Sequence, residues 1–291
     1  MDSLHNVSAM NHPSVPKLQV TNKMLRMLAP MPATAMQLLN LLANADVSLQ
    51  KLADVAVRDV GVSTALLRCA NSATFGLRGT IGSITDAIRV IGTAQTRMVV
   101  LASGVSQIAM REMPIYQLPA GAFTAHSELV ANATMTVARS AGMSNIGLAY
   151  ATGLLHDLGK VVLSGLALSS EPRPANLAAE MAARGCSLLE AEEAMFGADH
   201  ARVGKQLAEL WALPPELADA VGRHHEAQEA TPDNMLGYSV MLGNAVAGIV
   251  DPSYPRLSDA RDMPIPEWLD LDKVCEAALH CGLKIAKPAP K

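Results

Sequence analysis

Six of the eight histidines in this 291-residue chain are His126, His156, His200, His224, His225 and His280; the other two lie within the first 16 residues. Imidazoles combined with a carboxylate suit divalent transition metals such as iron, manganese, nickel or zinc, and such an ion turns bound water into a nucleophile near neutral pH. The most pointed arrangement is His156 followed directly by Asp157 inside GLLHDLGK, where Asp157 and Lys160 are strongly polar groups in an aliphatic run. Burying either unpaired is costly, so hydrogen bonds, counter-charges or a metal must surround them. His126 shares a helical face with Leu129, Val130, Ala133 and Val137, which turns it inward on an amphipathic helix. Taken singly, each group has a plainer explanation. His126 reads as a satisfied core histidine and His200 as a surface or capping residue just after Asp199, while the run His224, His225, Glu226 is as readily a solvated helix end as an inward pair.

The elements that must carry these groups are helical. Ala, Leu, Val and Met dominate the apolar half of the composition while aromatics make up 3%, which favours aliphatic helix faces over a sandwich or barrel. Between Pro32 and Met110 the punctuation predicts short helices: Ser48 opening an apolar run, Asp59 capping a helix through Arg68, Ser83 and Asp86 opening Ile84–Ile91, and Thr93 opening a helix to about Met110. Pro114, Pro119 and Gly121 then place a lobe boundary near residues 112–121. Longer helices are expected at 122–141, 147–165, 173–184, 187–196, 199–211, 215–227 and 234–250. A Pro-rich stretch over 251–266 leads to a last helix at Glu267–Leu283. Residues 1–16 read as a mobile tail without the apolar core of a secretory signal.

With 23 basic and 27 acidic residues the net charge is −4, so no global positive field gathers nucleic acid or an anionic membrane. The most apolar stretches are interrupted by polar residues before the roughly 20 residues a membrane span needs, so a soluble chain is expected. Cys69, Cys186, Cys275 and Cys281 lack C-x-x-C spacing and are expected to be reduced thiols in a cytoplasm. Leu49–Asn71 has the outline of a helix-turn-helix with its turn at Gly61-Val62-Ser63. Only Arg58 and Arg68 are basic between Leu52 and Asn71, so the pair is expected to pack rather than read DNA. The methionines Met24, Met27, Met31 and Met36 are expected as flexible core filler or as a face that docks a partner helix.

A helical histidine, an adjacent His-Asp pair thirty positions later, and further histidines beyond resemble the HD superfamily of metal-dependent phosphohydrolases. More specifically, the blocks LAPMPATAMQLLNLLANADVSLQKLADVAVRDVGVSTALLRCANSATFGLRGTIGSITDAIRVIG and FGADHARVGKQLAELWALPPELADAVGRHHE, together with the HD segment, resemble the HDOD domain, a bacterial signalling output domain, over roughly residues 20–250. The resemblance implies an all-α, HD-domain-like multi-helix bundle with an N-terminal helical lobe at about 17–115, an HD-like lobe at about 119–250 and an extension over 251–291. It implies His126, His156 and Asp157 as first metal ligands, His200, His224 and His225 as the additional histidines of HD-GYP cyclic dinucleotide phosphodiesterases, and Lys160 as a phosphate-facing lysine. In an active enzyme Asp157 and Lys160 would be the catalytic groups, with one or two divalent ions (Fe, Mn, Zn or Ni).

Two departures bear on activity. The counterpart of the last carboxylate ligand is Asn244, whose neutral amide is the weaker ligand. After His224-His225-Glu226 the chain reads AQEATPDNM where those phosphodiesterases carry a Gly-Tyr-Pro segment. The expectation is therefore a non-catalytic signal-transduction module acting through signalling proteins or a bound nucleotide or cyclic dinucleotide, in motility, stress or second-messenger responses. A metal-dependent phosphohydrolase is the alternative and a DNA-binding regulator the minor one.

Overall fold

A computed structural model describes residues 20–279 apart from 29–30, 43, 45, 73–74, 76–78, 172, 175, 227–230, 232, 252–253 and 255–265, and without the side chains of residues 26 and 105–109. Among the described residues the chain is helical, with one isolated bridge between Met113 and Leu118 and no strand. The expected N-terminal tail, most of the Pro-rich stretch, His280, Cys281 and the end of the last helix fall outside them.

Four amphipathic helices build the first core. They are α2 (Ala33–Leu42), α3 (Leu49–Ala56), α4 (Val60–Ala70) and α5 (Ile84–Ala109), preceded by α1 (Asn22–Leu28). The side chains of Ser48, Asp59 and Ser83 accept from the amides of Lys51, Val62 and Asp86, so each expected cap is in place. Gly92, at φ 78° and ψ 161°, kinks α5 between Ile91 and Thr93, a left-handed position that only glycine adopts at little cost. Leu38, Leu52, Val62, Leu66, Ile88 and Val100 are buried here. The expected turn at Gly61-Val62-Ser63 lies inside α4 instead; the chain turns at Val57–Asp59 because Asp59 is the cap. Of the methionines, Met24 and Met31 pack partly against the main core, whereas Met27 and Met36 are exposed.

The remaining helices are α6 (Ala122–Ser140), α7 (Ile146–Leu155), α8 (Leu158–Leu168), α9 (Leu177–Arg184), α10 (Leu188–Phe196), α11 (His200–Leu210), α12 (Pro215–Gly222), α13 (Met235–Val250) and α14 (Leu271–Leu279). The segment before α6 forms a 3-10 turn, Pro114–Tyr116, that buries Ile115 and Tyr116. Four boundaries differ from expectation, one of them the last helix, which begins at Leu271 and not at Glu267 because residues 267–268 form a turn and Asp270 accepts from the Lys273 amide as its cap. Residues 173, 174 and 176 are not helical: Pro174 precedes Asn176, whose side chain caps α9. The expected helix over 147–165 breaks at His156-Asp157, and the expected helix over 215–227 stops at Gly222, leaving residues 223–226 in turns. The face Leu129, Val130, Ala133, Val137 of α6 packs against Tyr238, Leu242 and Val246 of α13 and Val274 and Ala278 of α14. The stretch Ile146–Leu168 is long and apolar enough to cross a membrane, and most of it is buried in the core. Cys69, Cys186 and Cys275 are unpaired thiols; burial pushes Cys69 up to about 12.

Candidate metal centre

The helix break at His156-Asp157 is what builds the site. The Nδ1 of His156 lies 2.8 Å from the Gly153 carbonyl, and because a carbonyl only accepts, Nδ1 carries the proton and Nε2 is presented inward. Asp157 sits at the N-cap of α8 without making a cap bond. Its carboxylate instead turns inward, where Oδ2 is 2.6 Å from Lys160 Nζ and 3.3 Å from His156 Nε2, and Oδ1 is 3.1 Å from His200 Nε2 and 3.7 Å from His224 Nε2. His224 is oriented as His156 is, with Nδ1 donating to the Val221 carbonyl at 2.7 Å from the turn after α12.

His200 is the first residue of α11 and is wholly buried, contrary to the surface or capping role expected of it; Asp199 is the cap. Its Nδ1 donates to Glu192 Oε2 at 2.7 Å, and Glu192 also accepts from the His200 amide and from the Tyr116 hydroxyl, each at 2.8 Å. His225 Nε2 lies 2.9 Å from His200 Nε2. The two histidines of the His-His-Glu run turn inward, His224 at 1% exposure and His225 half-buried, while Glu226 is exposed. His126 comes from α6 with its ring 5.6 Å from that of His156, hydrogen-bonded to the Asn244 side chain from α13. Every site residue anticipated from the sequence thus meets in one place.

Burial and charge set the protonation states. Burial, then the charge of His156, lowers His126 to about 3, and burial lowers His224 to about 4 and His225 well below the ordinary imidazole range. Burial acts against His200 too, but Glu192 and the bond to Asp157 outweigh it and raise His200 to about 9. Burial would raise Asp157, yet His156 and Lys160 hold it well below the usual carboxylate range.

The same donors fit a divalent ion. One oxygen or nitrogen from each of Asp157, His200, His224 and His225 lies within 4.8 Å of the others, and so does one from each of His126, His156 and Asp157. Asp157 belongs to both groups, as a carboxylate shared by two ions would. The buried Nε2 atoms of His156 and His224 have no hydrogen-bond partner, the state of a ligand rather than of a satisfied core residue. Glu192 behind His200 is the outer carboxylate that metal-bound imidazoles use to fix ring orientation.

Three residues of the centre were missed in the sequence. Glu192 had a usable signal: it stands on the apolar stripe Leu188, Ala191, Phe196 of α10, fully buried. Tyr116 lies in a Pro-bounded turn and Tyr254 in a Pro-rich stretch, where no periodicity marks an inward position. Tyr254 stacks on His126 at 3.8 Å between ring centroids, with its hydroxyl buried and unpartnered. Burial, with the charge of Glu192 or Asp157, pushes the Tyr116 and Tyr254 phenols well above their usual value.

The chain is similar to an HDOD domain protein of unknown function from Geobacter sulfurreducens, with 23% identity, 88% of each chain covered and a TM-score of 0.57. It is also similar to a protein of Shewanella amazonensis whose name offers phosphohydrolase as an unproven activity, with 22% identity, 89% of this chain and 93% of that one covered, and a TM-score of 0.60. These likenesses show the helical fold. A Treponema pallidum protein without a characterised activity is 25% identical over 212 residues, which is 69% of this chain but only 38% of that protein's length. The HDOD domain family matches residues 28–227, well over half of the sequence, and the chain belongs to that family.

Proposed function

We propose that this chain is a signal-transduction module whose His/Asp cluster is a closed polar centre, not a turnover site. The observation that carries this reading is closure. His126, His156, Asp157, His200 and His224 are each 4% exposed or less, and Tyr254 lies flat across His126. Tyr254 thus screens the His126 side of the centre. The missing Gly-Tyr-Pro segment and the neutral Asn244 support the same conclusion.

Within the centre, Lys160 neutralises Asp157, Glu192 orients His200, and the backbone carbonyls of Gly153 and Val221 fix His156 and His224. Iron, manganese, zinc or nickel would be held by the two ligand groups that share Asp157, and when bound would supply Lewis acidity there. Output runs through signalling proteins or a nucleotide ligand.

A second reading, a phosphohydrolase acting on a nucleotide or cyclic dinucleotide, is favoured by one observation: the ligand set is complete around Asp157 and backed by Glu192. Elemental analysis of protein purified without added metal or chelator, paired with hydrolysis assays on mono-, di- and cyclic nucleotides, separates the two. The signalling reading expects no turnover with any divalent ion, whatever the metal content. Metal-dependent turnover that disappears in His156→Ala refutes it.

A further inference from the structure

On the opposite side of α6 from the His/Asp centre, a cavity of about 510 Å3 opens between α4, α5, α6 and α7. That volume is within the ordinary range for small-molecule sites. Its walls are largely apolar, with Val60, Ala65, Met110, Ala125, Tyr150 and Leu154 among them. Val60 and Met110 remain exposed at 82% and 54%, a high exposure for large apolar side chains beside a cavity. Arg68 also lines it and is bound to Glu128 through Nη1 to Oε2 at 2.8 Å, with their side chains 50% and 17% exposed. One helical turn before Glu128, on the same face, the Thr124 hydroxyl is buried and without a hydrogen-bond partner.

We infer that this cavity binds a zwitterionic amino acid with a large apolar side chain, as the input ligand of the module. The charge arrangement selects that class. An anion drawn to Arg68 meets the Glu128 carboxylate, and a cation drawn to Glu128 meets the Arg68 guanidinium. A zwitterion instead matches both. The Arg68–Glu128 contact uses one nitrogen of the guanidinium and one oxygen of the carboxylate, leaving further donors for a carboxylate and Oε1 for an ammonium. Thr124 Oγ1 supplies the polar contact that the buried hydroxyl now lacks, and the apolar walls take the side chain. The wall is shared with the centre: α6 carries Thr124, Ala125 and Glu128 towards the cavity and His126 towards Asp157, and α7 carries Tyr150 and Leu154 two turns or less before His156. Occupancy therefore bears on the helices that position the metal ligands. The regulatory meaning rests on the signalling reading above; the binding itself does not.

The test is isothermal titration calorimetry of the full chain with three probes: phenylalanine, 3-phenylpropanoate, which lacks the ammonium, and 2-phenylethylamine, which lacks the carboxylate. Phenylalanine is expected to bind at one site, with each analogue weaker by about ten-fold or more, the size of one charge-assisted hydrogen bond. In Arg68→Gln the preference for phenylalanine over 2-phenylethylamine collapses while the discrimination against 3-phenylpropanoate persists, and Ala125→Phe, filling the cavity, abolishes binding with the circular dichroism spectrum retained. Equal affinity for all three probes, an unchanged preference in Arg68→Gln, or no binding of phenylalanine overturns the inference. Metal content and nucleotide hydrolysis report on the His/Asp centre alone, so failure of either proposal is seen separately.

Discussion

Replacing Asp157 by Asn in the chelator-treated protein tests the electrostatic account of the centre most directly. The carboxylate is 1% exposed and holds Lys160 at 2.6 Å and His200 at 3.1 Å, so its removal strands two cationic groups in the interior. Breaking a buried pair by deleting one partner costs about 3–5 kcal/mol. At roughly 2–4 °C per kcal/mol for a chain of this order, the melting temperature falls by about 6–20 °C. The assay is urea unfolding followed by far-ultraviolet circular dichroism on Asp157→Asn, Lys160→Met and the double variant. Because Lys160 and Asp157 share one contact, the double variant should be more stable than the sum of the single losses by about 1–3 kcal/mol. A loss below about 1 kcal/mol for Asp157→Asn, or strict additivity of the two changes, would show that Asp157 does not neutralise Lys160 in the metal-free protein.

Three further outcomes follow from the same geometry. In the metal-free chain His126 and His224, lowered to about 3 and about 4 from 6.5, stay neutral when folded; their contribution is full above pH 6.5 and lost as pH falls towards those values. His200, raised to about 9, contributes below pH 6.5 and loses that contribution as pH rises through 9, so urea midpoints should peak near neutrality and His126→Leu should flatten the acid side. Gly159→Ala would place a methyl group on the His200 carbonyl and close to the Gly204 amide. The gain in helix propensity, about 1 kcal/mol, is outweighed by that collision, so the variant should melt lower than the parent, and an equal or higher melting temperature would exclude close backbone contact between α8 and α11. Glu192→Gln should weaken zinc or manganese binding by about 10–100-fold, measured by calorimetry, since it removes the charge that orients His200.

Much of this was legible in the chain. The caps at Ser48, Asp59 and Ser83, the kink between Ile91 and Thr93 and the inward face of His126 are local matters of hydrogen bonding and periodicity, read within a few residues. The HDOD resemblance supplied the remaining site residues together, and all of them converge. Local reasoning alone failed at His200, which it left at the surface or at a cap, and did not decide His224-His225, because the helix packing that buries them is not a local property.

The sequence by itself determined the all-α architecture and the identity of the polar residues that need partners, since helix punctuation and the cost of burying a bare carboxylate or imidazole are local quantities. Only the tertiary structure decided which partners they find. Glu192 reaches His200 through the turn between α10 and α11, Tyr116 reaches Glu192 from 76 residues away, and Tyr254 folds back over His126 from beyond α13. Such contacts follow from how helices pack, and no spacing along the chain encodes them.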